Sequence, residues 1–446
     1  VIARLEGYGT AMRQTSWFSF GFTTAQWFIF LLANALSLPI VIGQIYHLPP
    51  EEVAGLMQRT FFVIGLTSFL QGWLGHRFPL SDGPAGIWLG IFVIMGELAA
   101  NTGQQPEEVL RVMVGGMIIA GLLILLLAGL RLIPKMLGIF TPLVTGSFLM
   151  LLAIQLSGVF LRGMMDIRTA SGTVRWDLVG VSLVVFVLVL CFTTWGKGWM
   201  RSYAVLIGIV VGWAGFTALG YQSNSVTHSG FFTLPEFLAW GGPIFEPGMA
   251  VSAIVVALIL LSNLIASTNA MQQVLTGETK VSPSVLTRAG VWSGVATILS
   301  ALFSTVGMVP LTVAAGFVEM TGQKRRGPFL TACLALAGVA LIPVVIGFLS
   351  KLPGPIAYAA LLASFGQMFG LGLHGVLKEP LDPRRTRILG LTLSLGAGMM
   401  FLPASLFLSM PSVLQSFFSN GLLVGTVICI LFEQLWPPNR SKWAKN

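Results

Sequence analysis

The feature that most limits what this chain can become is a succession of long apolar runs divided by short polar breaks. The runs fall at 18–44, 53–75, 83–101, 108–130, 138–161, 177–196, 201–221, 248–272, 285–304, 306–322, 327–350, 353–374, 386–407 and 412–435. Each approaches the ~20 apolar residues that a helix needs to cross a bilayer. A segment in hydrocarbon must satisfy its own backbone, so the runs are expected to be helices. Only 9% of the 446 residues are charged and 55% are hydrophobic, against roughly 25% charged in a soluble domain. The expected fold class is an all-α polytopic membrane protein with about fourteen transmembrane helices.

Gly is abundant, with 52 copies, and small residues let membrane helices approach closely. The three cysteines, Cys191, Cys333 and Cys429, all sit in apolar runs. Their odd number argues against a disulfide framework or a thiolate metal cluster and leaves them as small packing residues. The formal charge of +9 comes without a basic stripe interleaved with aromatics, which excludes a nucleic-acid partner. It fits the cytoplasmic bias of Lys and Arg instead. With the N-terminus inside, inner loops collect Arg4, Arg13, Arg77, Arg131, Lys135, Arg201, Lys324, Arg325, Arg326 and Arg384, and the tail adds Arg440, Lys442 and Lys445. The outer side keeps Arg59, Arg111, Arg162, Arg168, Arg175 and Lys351. The expectation is a multi-pass protein of the cell inner membrane with both termini cytoplasmic. Residues 1–16 are polar and the first run is too long for an h-region, so no cleavable signal peptide is expected.

An even division gives two repeats, 1–221 and 248–435, joined by an extracytoplasmic linker at 222–247 and followed by a cytoplasmic tail at 436–446. A repeat with an odd number of spans must invert in the membrane, a common plan for secondary transporters. The third span of each half opens with helix breakers: Pro79-Leu-Ser-Asp-Gly-Pro-Ala-Gly86 in the first, Val306-Gly-Met-Val-Pro310 in the second. Matching interruptions point to half-helices whose N-termini meet at mid-membrane, while two ordinary kinks are the plainer reading.

Catalytic patterns are absent: no His/Glu metal spacing, no phosphate-binding loop, no Gly-x-Ser-x-Gly elbow. An enzyme is not expected, nor a cofactor. His47, His76, His228 and His374 lie at span edges or in loops and read as solvated, His76 least securely. Polar residues deep in a span are the functional candidates, because lipid makes them costly. Gln26 and Asn34 offer amide donors and acceptors, or else interhelical bonds. Asp82 in the first breaker stretch is either a cation or proton site or a helix N-cap. Ser262, Asn263, Ser267, Thr268 and Asn269 make the most polar patch in any span and read as a cavity lining or as packing polar groups. Glu97 reads as reaching the outer interface, and Glu319 as solvated beside Lys324, Arg325 and Arg326.

At these residues the chain resembles the xanthine/uracil permeases, the nucleobase:cation symporters that include nucleobase–ascorbate transporters. The resemblance runs nearly end to end, through Gln26-Trp27 with Pro39, Gln71-Gly-Trp-Leu-Gly75 with Pro79, Pro142-Leu-Val-Thr-Gly146, Leu352-Pro-Gly-Pro-Ile356 with Phe365-Gly366, and Ser419-Asn-Gly421 with Gly425. It looks closest to a divergent branch of candidate purine permeases. The resemblance implies a seven-plus-seven inverted repeat. It also implies a core domain (spans 1–4 and 8–11), a gate domain (spans 5–7 and 12–14) with a homodimer contact, and discontinuous spans 3 and 10. It implies substrate contacts by Gln26, Asn34, Ala85, Gly86, Ser262, Asn263, Ser267, Val313 and Ala314, with Phe28, Trp27 or Phe245 as stacking rings. The family's span-eight Glu is replaced here by Asn263 and its following His by Ser267, and the span-ten motif reads Val313-Ala-Ala-Gly316. Asp82 is then the remaining acidic candidate for coupling.

The leading expectation is import of a purine base (xanthine, guanine, hypoxanthine or uric acid) or uracil by alternating access, coupled to a proton, with sodium as the alternative co-ion. An inorganic anion carrier of the same fold is a second reading, since half-helix N-termini suit anions. A non-transporting membrane relative is the third.

Overall fold

The computed structural model describes residues 17–133, 141–166, 175–221, 230–407 and 410–436. Arg4, Arg13, Lys135, Arg168, His228 and the tail cations lie outside them, as does most of the 222–247 linker's first third. The first half contains α1 (Trp17–Ala35), α2 (Ser37–Ile45), α3 (Pro50–Trp73), β1 (Asp82–Pro84), α4 (Gly86–Thr102), α5 (Pro106–Gly129), α6 (Pro142–Met164), α7 (Trp176–Thr194), α8 (Trp199–Ser202) and α9 (Ala204–Ala218). The second contains α10 (Pro247–Thr276), α11 (Pro283–Leu302), β2 (Met308–Pro310), α12 (Val313–Thr321), α13 (Arg326–Ala340), α14 (Pro343–Leu349), α15 (Gly354–Val376), α16 (Pro383–Met400), a 3₁₀ turn (Ala404–Phe407), α17 (Ser412–Phe418) and α18 (Gly421–Leu435). Among the described residues eight helices are long and apolar enough to cross a membrane, and nine if the bent pair α13–α14 counts as one span.

Proline and glycine set the element ends. Pro50, Pro106, Pro142, Pro247 and Pro283 start their helices, where the fixed φ suits the first turn and the missing N–H costs nothing. Gly103, Gly277 and Gly322 end α4, α10 and α12 with left-handed φ of 71°, 82° and 69°, a conformation cheap only for glycine. Several expected spans are interrupted, and at two of the interruptions, the first of which still leaves Ser19–Ile45 as one span, a proline is the cause. Pro39 cannot return a hydrogen bond to the preceding turn, and α1 gives way to α2 around Leu36. Pro343 does the same between α13 and α14, which meet at 90°.

Helix association in lipid depends on close packing, and glycines carry it here. A Cβ on Gly146 of α6 would lie 2.5 Å from the Gly372 carbonyl of α15, and one on Gly372 would lie 2.6 Å from the Gly146 carbonyl. Gly121 of α5 and Gly294 of α11 face each other in the same way, and Gly65 of α3 abuts Cys333 and Ala337 of α13. The helices fall into two packed groups. In one, α5 contacts α10 and α11, while α13 contacts α1 and α3; in the other, α15 contacts α6, α7 and α9, while α18 contacts α6 and α16. The groups meet along a seam where α4 touches α6, α2 touches α15 and α10 touches α17.

Candidate functional site

The two breaker stretches find each other. β1 and β2 pair antiparallel, with Asp82 opposite Pro310, Gly83 opposite Val309 and Pro84 opposite Met308. The pairing extends one residue each way: Ala85 N–H donates to Gly307 O (2.8 Å), and Leu311 N–H donates to Ser81 O (2.9 Å). Pro79, Pro84 and Pro310 interrupt any helix there, and the freed backbone groups are satisfied across the pair. Because the strands run antiparallel, α4 and α12 leave the crossing in opposite directions. The first amides of both helices, which have no intrahelical acceptor, therefore stay in the middle of the bundle. Gly307 is required at this crossing, since the Trp88 indole Nε1 would sit 2.5 Å from any Cβ there.

A polar cluster closes one side of the crossing. Ser267 Oγ of α10 lies 2.9 Å from Pro310 O, 2.8 Å from Thr312 Oγ1 and 3.0 Å from the Asn263 side-chain amide. One residue before Asn263, Ser262 Oγ lies 3.3 Å from Thr145 Oγ1 of α6, so the seam between the two helix groups passes here. On the same seam Gly86, at the start of α4, faces Phe365 of α15 and Leu152 of α6, and Gln155 of α6 donates to Gly90 O (3.2 Å). Glycine at position 86 lets the Phe365 ring come within 3.0 Å of where a Cβ would be.

A vestibule of about 850 Å³ opens at one end of the seam. Thr312, Val313, Gln273, Glu319, Lys324 and Arg201 are among the residues that line it. At the other end the seam is closed more tightly: Glu97 of α4 pairs with Arg162 of α6 at 3.2 Å beside a smaller cavity of about 360 Å³.

A crossing of two discontinuous helices, set against a polar span-eight patch, is the arrangement that the sequence resemblance implies. The family model of the xanthine and uracil permeases, described as the permease family, matches residues 17–405. The chain belongs to the xanthine/uracil permease family. This permease is 29% identical to YwdJ of Bacillus subtilis, a protein named as a candidate purine permease, over 93% of this chain and 96% of YwdJ. It is 24% identical to the uric acid permease PucK of the same organism (92% and 94% covered) and 24% identical to the uric acid transporter UacT of Escherichia coli (90% and 83% covered). In structure it is similar to the transmembrane domain of the cyanobacterial bicarbonate transporter BicA, with a TM-score of 0.58 at 15% identity over 91% of this chain and 96% of that one. SLC26A9 gives 0.62 at 14% identity over 92% and 64%. At such identities the likeness is one of fold. The permease is a multi-pass membrane transporter and not an enzyme.

The structure sorts the candidate residues. Ser262, Asn263 and Ser267 come together beside the crossing and the seam, and Val313 lines the vestibule next to Thr312. Ala85 and Ala314 are fully buried, and their amides are already donated to Gly307 O and Leu311 O, as the Ala315 amide is to Thr312 O. Gln26 lies on α1 beside α12, with its carbonyl accepting from Tyr203 Oη (3.3 Å) and its Oε1 buried without a partner. Asn34 is exposed and donates to Phe30 O of its own helix (2.8 Å), so nothing ties it to the cluster. Asp82 is not an N-cap: α4 starts after Ala85, and Asp82 belongs to β1. Its N–H donates to Ser68 Oγ (2.9 Å), and its carboxylate is buried with the Thr67 hydroxyl beside it but outside good hydrogen-bond geometry.

Two ring expectations are corrected. Trp27 is wedged among Phe30, Phe317 and Phe329 with no exposure, and Phe245 sits against Gly115 of α5, where it is 60% exposed. The ring that reaches the seam beside Gly86 is Phe365. His76 is also corrected: it is buried, stacked on Phe78, and accepts the Phe78 N–H at Nδ1. Sequence reasoning passed over Thr145 and Thr312. Thr145 stood inside a quoted motif and Thr312 between two of them, yet a threonine in a span is usually bonded to its own helix.

Proposed function

We propose that this permease imports a nucleobase, an oxopurine such as xanthine or uric acid or else uracil, by alternating access and with proton coupling. The observation that carries the reading is the polar cluster Asn263–Ser267–Thr312 at the β1–β2 crossing, whose Thr312 also lines a vestibule of about 850 Å³. Relatives named for purines and uric acid support the substrate class. The vestibule carries Arg201 and Lys324, so the bias of Lys and Arg puts its mouth in the cytoplasm. The molecule is then inward-facing, in the inner membrane, with both termini cytoplasmic.

The reading includes fourteen spans in two inverted repeats, with a core and a gate that meet at the seam. Exchange of span i with span i+7 turns α3–α13 into α11–α5, α10–α5 into α13–α1, α6–α16 into α15–α7 and α7–α9 into α16–α18, and all of these pairs are in contact. The pairs β1–β2 and α6–α15 map onto themselves. The second group of helices would be the gate and would supply a homodimer contact. Asp82 would be the coupling group, because an ionised carboxylate buried beside a neutral hydroxyl needs a proton or cation for company.

Thermal stabilisation of the purified permease tests the substrate class. Xanthine, hypoxanthine, guanine, uric acid and uracil are compared with sulfate and bicarbonate, since a ligand of the native state raises stability by mass action. A shift with a base and none with the anions is expected. A shift with the anions alone overturns the reading in favour of an anion carrier.

A further inference from the structure

The hydroxyl of Ser267 has one proton and two lone pairs. It has three neighbours: the Pro310 carbonyl (2.9 Å), the Thr312 hydroxyl (2.8 Å) and the Asn263 amide (3.0 Å), whose nearer atom in the structure is Oδ1. Pro310 O can only accept, and so can Oδ1. In that arrangement one proton has to serve two acceptors. The oxygen and nitrogen of an amide are told apart by the hydrogen bonds they make. Turning the Asn263 amide by half a revolution removes the conflict. Its Nδ2–H then donates to Ser267 Oγ, Thr312 Oγ1–H donates to the other lone pair, and the Ser267 proton goes to Pro310 O. Every donor and acceptor of Ser267 is then used once.

We infer that Ser267 and Thr312 lock the Asn263 amide with its carbonyl oxygen toward the substrate cavity, so that the site demands an N–H donor and refuses an oxyanion. The atom of Asn263 that points away from Ser267 makes no hydrogen bond among the described residues, and Asn263 is half-exposed. Thr312, which completes the lock, is itself part of the vestibule lining. A lone acceptor there suits the ring N–H of a lactam or imide. It repels sulfate or bicarbonate, which offer chiefly oxygen lone pairs. The same fold in BicA serves bicarbonate, so the orientation of one amide would separate the two substrate classes. Ser267 and Thr312 act here as positioning residues, and Pro310, which ends β2, ties the lock to the crossing itself.

This inference rests on the nucleobase reading, and the test separates the two. Binding of xanthine, hypoxanthine and uracil is measured for the purified wild type and for N263D, N263L, S267A and S267T, each first checked for an unchanged ligand-free melting transition. Asn263→Asp keeps an acceptor on the cavity side, so base affinity is expected within about tenfold of wild type, whereas Asn263→Leu loses about a hundredfold, the range for stranding a buried hydrogen-bonding group. Ser267→Ala frees the amide and lowers affinity about tenfold, and Ser267→Thr restores it. If N263D is as weak as N263L while the wild type binds a base, the amide nitrogen faces the cavity; the lock is then refuted and the nucleobase reading stands. If the wild type binds only sulfate or bicarbonate, both fall. Should N263D fail to fold, S267A with unchanged base affinity is sufficient to refute the lock.

Discussion

Replacing Gly146 by alanine should separate α6 and α15, the two helices on which the second packed group is built. The new Cβ would meet the Gly372 carbonyl at 2.5 Å, Val376 Cγ2 at 2.6 Å and the Val376 backbone nitrogen at 2.9 Å. Ordinary contacts begin at 3.4 Å, so α6 and α15 must part by about 0.9 Å at this point. Two of the three atoms are backbone, and no rotamer change can relieve them. Overpacking of this kind costs about 1–3 kcal/mol, while alanine in a helix interior returns at most ~1 kcal/mol over glycine. Gly158 lies on the same helix and provides the control, since nothing stands within 4 Å of its Cβ position. G158A should therefore be neutral or stabilising. The assay is the detergent melting transition of wild type, G146A and G158A, followed by fluorescence and by monodispersity. G146A is expected below wild type, with a gap of about 1–3 kcal/mol from G158A once the overpacking term is counted. Equal stability of the two variants would refute the claim that mutual glycine contact, rather than side-chain packing elsewhere, sets the α6–α15 distance.

Three further expectations follow from named contacts. Glu97 and Arg162 pair across the seam at 3.2 Å with both side chains about half exposed or more, so breaking the pair should leave the fold intact and shift the inward–outward balance by only about two- to fivefold, the range of an exposed ion pair; labelling of a single cysteine placed in the vestibule lining would fall in E97Q and R162Q, and unchanged labelling would remove the pair from any latch role. Gly307→Ala drives a methyl group into the Trp88 indole at the crossing, and should destabilise the protein by about 1–3 kcal/mol and abolish transport, whereas an active G307A would mean that the crossing is not held by that contact. Asp82→Asn removes a carboxylate whose one polar neighbour, the Thr67 hydroxyl, an amide can equally engage, so the melting transition should hold; base exchange across proteoliposomes should persist while accumulation driven by a proton gradient disappears, and D82N that still accumulates base uphill would clear Asp82 of coupling.

How far the sequence reached can be seen residue by residue. The length of each apolar run, the prolines that open helices and the glycines that end them act within a few residues, so the helical, membrane-crossing character of the long runs was legible, while among the described residues eight helices, or nine with the bent pair, are long and apolar enough to cross. The breaker stretches were legible as interruptions because Pro79, Pro84 and Pro310 forbid continuous helix locally. Their pairing was not, since Asp82 and Pro310 stand on opposite halves of the chain and nothing near either one names the other. The same limit hid the Ser267–Pro310 and Thr145–Ser262 contacts, and it misplaced Trp27 as a stacking ring: a tryptophan beside Gln26 looks identical in sequence whether it faces a cavity or three phenylalanines. Hydrophobic length decided that this chain lives in a bilayer and where its helices begin and end, because lipid judges each segment by itself. Which polar atoms face the substrate path was decided only by tertiary packing, because a hydrogen-bonding group in lipid is defined by the distant partner that satisfies it, and the fold alone brings that partner near.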